Sequence, residues 1–260
     1  MMGRGGRALP ELLRLDGVKK HFGGIRAVDG VTASVGEGEL VGLIGPNGSG
    51  KSTLFNVISG VHKLDEGTVA FRGERIDGLD PWVIFARGVV RSFQNPRLFH
   101  GMTVLENVLV PPRDQKGERI ANAPIPARWE DQETALAEDA LDTLIRNQLQ
   151  AVPLNWATDV SGGQMKLLEV SRALMGEPKL LLLDEPTAGV APKLAREIFE
   201  TIAMLRREHG LAFLIIEHRL DVLLDYVERV LVMHEGELIF DGTPAAAVND
   251  PRVIDAYLGE

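Results

Sequence analysis

Three stretches of this 260-residue chain carry residue types at the spacing that chemistry on phosphates requires. Gly45, Pro46, Asn47, Gly48, Ser49, Gly50, Lys51, Ser52 and Thr53 fit G-x-x-x-x-G-K-[ST], between a short apolar run and a helical one. Glycines at these places let successive backbone N–H groups curl around an anion, and the helix start just beyond favours negative charge. Lys51 has the reach for the β- and γ-phosphates of a nucleotide, and the Ser52 hydroxyl can ligate Mg²⁺. The second stretch is Asp184-Glu185, which closes the apolar run at 180–183. There Asp184 would hold Mg²⁺, directly or through water, and Glu185 would polarise an attacking water as general base. In the third, Ser161 reads as an N-cap, and Gly162 and Gly163, followed by Gln164, leave the first turn's N–H groups open to an anion. Alone, that pattern is better read as a simply capped helix.

The elements that must position these residues are legible as an α/β pattern. Continuous apolar runs at 40–44, 180–183 and 211–216 have the character of parallel strands buried on both faces. Ligands of an open α/β sheet bind at the carboxyl ends of its strands, where Asp184 and Glu185 emerge. Further strands are expected at 68–72 and 89–93, and a hairpin at 229–233 and 237–240. Helices are expected after Asp80-Pro81, over 131–150 with Leu136, Ala140, Leu141 and Leu144 inward, over 165–175 and over 193–210. Thr243-Pro244 and Asp250-Pro251 start two short ones. The segment at 111–129, rich in Pro, Gly and charge, reads as loop. The expected organisation is a flexible tail at 1–10 and a core from 11–94 and 176–242. A helical subdomain at 95–175 and a helical extension at 243–260 complete it.

Composition narrows the classes. The chain has no cysteine, which excludes disulfides, thiolate metal sites and a cysteine nucleophile. A net charge of −9 argues against nucleic acid as a partner, because a polyphosphate needs a basic surface. The 28 glycines are about one residue in nine, against roughly one in fourteen on average. No apolar run approaches the ~20 residues of a spanning helix, and 1–7 lacks the apolar stretch of a signal peptide, so the chain reads as cytoplasmic.

The phosphate loop, Gln94, Ser161-Gly-Gly-Gln164, the run 180–185 and His218, in that order, resemble the nucleotide-binding subunit of an ABC transporter over nearly the whole chain. The resemblance implies an α/β P-loop cassette with a RecA-like mixed-sheet core, an antiparallel β subdomain and the inserted helical subdomain. It further implies that Phe22 stacks on adenine, the alternative being a plain core phenylalanine. Gln94 would sense Mg²⁺ and the water, and His218 would contact the γ-phosphate. Ser161 and Gly163 would act in trans, each signature helix covering ATP held by a second cassette. Three positions depart from the family pattern: Val160 stands where leucine is usual, Ala191 where aspartate is common, and Arg219 where aspartate often follows the histidine.

Residues 21–28, 90–94, 97–99, 103–107 and 250–260 are similar to the ATPase of branched-chain amino-acid importers. That resemblance implies membrane permease subunits, a second ATPase subunit, and a solute-binding protein acting indirectly, with the chain peripheral on the inner face of the cell membrane. Leu98 and Phe99 either dock a permease helix or lie under the helical subdomain. Urea or short-amide importers, and a soluble cassette of the iron–sulfur assembly type, are the alternatives.

Overall fold

Three strands are buried at every position along their length: β3 (Leu40–Ile44), β7 (Leu180–Asp184) and β8 (Ala212–Ile216). Only a strand covered on both faces tolerates that pattern. In the computed structural model, which describes residues 10–92 and 97–258, these strands are the middle of a six-stranded sheet. With β6 (Val89–Arg91), β9 (Arg229–His234) and β10 (Glu237–Gly242) the order is β10-β9-β3-β8-β7-β6. Every pair is parallel except the marginal hairpin β9–β10. A second, wholly antiparallel sheet runs β2-β1-β4-β5 from β1 (Glu11–Phe22), β2 (Ile25–Gly36), β4 (Glu66–Phe71) and β5 (Glu74–Arg75).

Alternation along the buried strands divides the interior in two. Leu181, Leu183, Phe213, Ile215 and Val230 pack into one cluster with the helices of the chain's second half. Their neighbours Leu180, Leu182, Ala212, Leu214 and Leu231 face the opposite cluster, shared with the antiparallel sheet and with α1 (Lys51–Ile58). The central sheet is therefore clamped between two cores.

Between β4 and β7 the chain forms α2 (Pro81–Ala86), α3 (Val104–Val108), α4 (Glu130–Arg146) and α5 (Gly162–Leu174). α2 has Asp80 at its N-cap and Pro81 in its first turn, as the sequence predicts. α3 and α5 each begin with a capping box, Thr103 with Glu106 and Ser161 with Gln164. Two helix ends differ from expectation. The capping box draws the start of α5 back to Gly162, three residues before the expected position. α4 stops at Arg146 rather than near 150, because Gln148 takes φ +60° and the Leu149 N–H donates to the Leu144 carbonyl at 2.8 Å. That is a Schellman closure with a glutamine where glycine is usual. Of α4's expected inward residues, Ala140 and Leu144 are fully buried, but Leu141 is 39% exposed.

After β7 come α6 (Pro192–His209), α7 (Leu220–Tyr226), α8 (Pro244–Ala247) and α9 (Pro251–Leu258). Among the described residues no helix is long and apolar enough to cross a membrane. Phe213, the second residue of β8, has no exposed surface. Phe213→Ala is expected to cost about 3–5 kcal/mol, read as a lower denaturant midpoint at unchanged slope.

Candidate functional site

Because β3, β8, β7 and β6 are parallel neighbours, their carboxyl ends open onto one edge. From β3 the chain enters the loop 45–50 and then α1. An added Cβ at Gly45 would run into the Met233 carbonyl oxygen, and one at Gly50, at φ +100°, into the Ala27 carbonyl oxygen. Glycine alone lets the loop lie this close to β9 and β2. Lys51 is buried, and its Nζ donates to the carbonyls of Gly45 at 2.8 Å and Pro46 at 2.7 Å and to Ser49 Oγ at 3.2 Å. Its ammonium thus lies across the inside of the loop, while Ser52 is exposed in the first turn of α1. A cleft of about 600 Å³ opens here, and Asn47, Gly48, Lys51, Ser52, Glu185 and His218 are among the residues lining it.

Glu185 and His218 come from different strands, yet Glu185 Oε1 and His218 Nε2 lie 3.2 Å apart. Glu185 has φ +51°, a left-handed conformation that non-glycine residues seldom adopt. It turns the carboxylate out of the line of β7 into the cleft. Asp184, one residue earlier, is only 6% exposed and pairs with Arg91 of β6 at 3.1 Å. Ser92 Oγ also accepts the Asp184 N–H at 3.2 Å. Burial pushes the Asp184 carboxyl above its ordinary range, against the opposing pull of Arg91 and Lys51. The same burial lowers the Arg91 guanidinium, which also donates to Asn56 and Ser59 and lies 5.7 Å over the Phe55 ring.

Among the described residues no group of three or more His, Asp and Glu side chains could hold a metal unaided. Ser52 and Asp184 offer one hydroxyl and one carboxylate, hard oxygen donors that suit Mg²⁺ completed by phosphate oxygens and water.

The other expected site residues lie apart from this cleft. Ser161 and Gly162 are exposed at the start of α5, and neither they nor Gly163 and Gln164 line it. Ser161 Oγ accepts the Gln164 N–H at 3.3 Å and Gln164 Oε1 accepts the Ser161 N–H at 2.8 Å. Gly163 is buried, and an added Cβ there would meet the Leu194 side chain of α6, which would have to shift. Phe22 does not line the cleft; it is 43% exposed, edge-on to His62 at 5.2 Å between ring centres. Ile25, three residues on, does line it. Gln94 lies outside the described residues. Leu98 is buried, whereas Phe99 is 47% exposed and held by Asn107, whose side chain bonds both its N–H and its carbonyl. Arg91 and Glu217, the buried residue next to His218, were not singled out by sequence pattern, although each is a charge at the end of a strand.

A strand–loop–helix anion cradle beside two carboxylates and a histidine, all on one edge of a mostly parallel sheet, defines the class: a P-loop ATP-binding cassette. Residues 28–188 match the ABC transporter family, and residues 237–260 match the family described as branched-chain amino acid ATP-binding cassette transporter. The probable branched-chain amino acid transport ATP-binding protein LivG of Methanocaldococcus jannaschii is 43% identical over 254 residues, covering 96% of this chain and 98% of that protein. A crystal structure of a nucleotide-free ATP-binding cassette from an ABC transporter superposes with TM-score 0.84 at 42% identity, covering 96% of this chain and 100% of that one. A dimeric post-hydrolysis state of another ATP-binding cassette, bound to ADP and Pi, superposes with TM-score 0.75 at 26% identity, over 89% and 98%. The chain belongs to the ABC transporter family as one of its ATP-hydrolysing cassettes, in the branched-chain amino-acid branch.

The pairing of Arg91 with Asp184 generates a pH-dependent expectation. Arg91→Ala leaves a buried carboxylate without its counter-charge, which costs about 3–5 kcal/mol near neutral pH. The Asp184 carboxyl then stands further above its unfolded value, so the folded state holds more protons than the unfolded state. Stability therefore recovers as pH falls through the raised value, and denaturation at two pH values should show a smaller deficit at the lower one.

Proposed function

We propose that this chain powers uptake of branched-chain amino acids through membrane permease subunits, on the inner face of the cell membrane. The observation that carries the hydrolytic assignment is the 3.2 Å approach of Glu185 and His218 at the cleft that also contains Lys51. The loop 45–50 would hold the β- and γ-phosphates through its N–H groups, and Lys51 would exchange the Gly45 and Pro46 carbonyls for phosphate oxygens. Ser52 and Asp184 would hold Mg²⁺, which when bound neutralises charge on the β- and γ-phosphate oxygens. Glu185 accepts the proton of the attacking water. The new P–O bond forms as the bond from the γ-phosphorus to the bridging oxygen breaks, leaving ADP and phosphate. His218, against Glu185, orients that carboxylate and reaches the γ-phosphate.

Two cassettes pack so that Ser161, Gly162, Gly163 and Gln164 of each cover the nucleotide of the other. The start of α5 does not line its own chain's cleft, which supports this reading. Phe22 is the platform for the adenine, with His62 behind it. Gln94 links this chemistry to the permease, and exposed Phe99 is the surface a permease helix rests on. The segment 95–175 is the helical signature subdomain beside the core from 11–94 and 176–242, and 243–260 is a C-terminal helical extension. A solute-binding protein delivers substrate on the far side.

In the assembled transporter, Glu185→Gln should retain ATP binding and lose about 10²-fold or more in turnover. Full residual hydrolysis would remove Glu185 from the role of base. Vesicles holding the complete transporter should take up leucine, isoleucine or valine. Uptake of urea instead would overturn the assignment of solute.

A further inference from the structure

We propose that Glu217 is a positioning residue for hydrolysis, acting through Glu185 and His218; this rests on the reading of Glu185 as the base. β7 and β8 are paired only as far as Asp184 and Ile216, with one more bond from the Glu185 N–H to the Ile216 carbonyl at 2.9 Å. Beyond that point each strand runs into its own loop, and the two reacting side chains sit at the roots of those loops. The Glu217 carboxylate bridges the gap. Its Oε1 accepts the Thr187 N–H at 2.8 Å and the Thr187 hydroxyl at 2.6 Å. Its Oε2 accepts the N–H groups of His218 at 3.1 Å and Arg219 at 3.3 Å. Arg219 adds a second tie, its Nη1 donating to the Val190 carbonyl at 3.3 Å in the loop that follows Glu185.

The chemistry of the site asks for a carboxylate. All four partners are donors, and an ionised carboxyl group is acceptor-only, whereas an amide would turn an NH₂ toward one pair of them. Glu217 is 2% exposed and does not line the cleft, so it meets neither nucleotide nor solvent. A buried polar group of this kind persists only with its bonds complete, and here they are spent on the two functional loops. Glu185 holds a strained backbone, and such conformations last only where the surroundings over-determine them. The two bonds to Thr187, two residues further on, supply part of that constraint. The Glu185–His218 separation is thereby set from beneath the cleft.

In the assembled transporter, Glu217→Gln should lower kcat for ATP tenfold or more, since ~1 Å of misplacement in a site costs on the order of 10²-fold. Affinity for a fluorescent ATP analogue should stay within about twofold, because no contact to nucleotide is removed. In the Glu185→Gln background the same change should lower the residual rate by less than about twofold, as expected of residues acting as one unit. Thr187→Val, which keeps the side chain's shape and removes one donor, should lower kcat severalfold and serves if Glu217→Gln folds poorly. A Glu217→Gln or Thr187→Val enzyme with parental kcat overturns the inference, as do losses that multiply in the double variant. Full turnover by Glu185→Gln would instead condemn the assignment of the base. Loss in Glu185→Gln with none in Glu217→Gln condemns the present inference alone.

Discussion

The site depends on one constraint: β3, β7 and β8 are buried on both faces, so none of them can carry a reacting group along its length. Function is left to their ends. Since the strands are parallel, the ends that follow each apolar run share an edge, and residues 45–53, 184–185 and 217–219 are brought together across more than 170 residues of sequence. The two hydrophobic clusters hold the sheet from either side, which keeps that edge rigid enough for contacts near 3 Å to recur from molecule to molecule.

Local electrostatics at that edge run against the chain's overall charge. A protein carrying −9 offers a phosphate little at long range, yet it places a buried ammonium inside the loop 45–50 at short range. Lys51 donates to the loop's own carbonyls at Gly45 and Pro46. Three carboxylates lie close together here and are handled differently. Asp184 is neutralised by Arg91, Glu185 faces His218, and Glu217 is consumed by hydrogen bonds from two loops.

Local signals account for much of this. The glycine-lysine spacing, Ser161 as an N-cap, Pro81 at a helix start and the apolar strand runs are each encoded within a few residues, and each appears where the sequence places it. The misses are those in which a distant partner decides. Leu141 fits the helical period but is partly exposed to solvent. The end of α4 comes early through a glutamine in the left-handed region, which no propensity favours. Gly163 reads as an opening for an anion, and the fold also sets it against the Leu194 side chain of α6.

The sequence alone pointed to the kind of chemistry, since holding phosphate, ligating Mg²⁺ and taking up a proton each require particular residue types at short spacing. Tertiary structure decided which charges meet. Arg91 joins Asp184 across 93 residues, and Glu217 joins Thr187 across 30, through side chains whose neighbours in sequence reveal nothing of their partners. A hydrogen bond fixes an angle and a distance between two atoms, and only the pairing of β6, β7 and β8 brings those atoms within range.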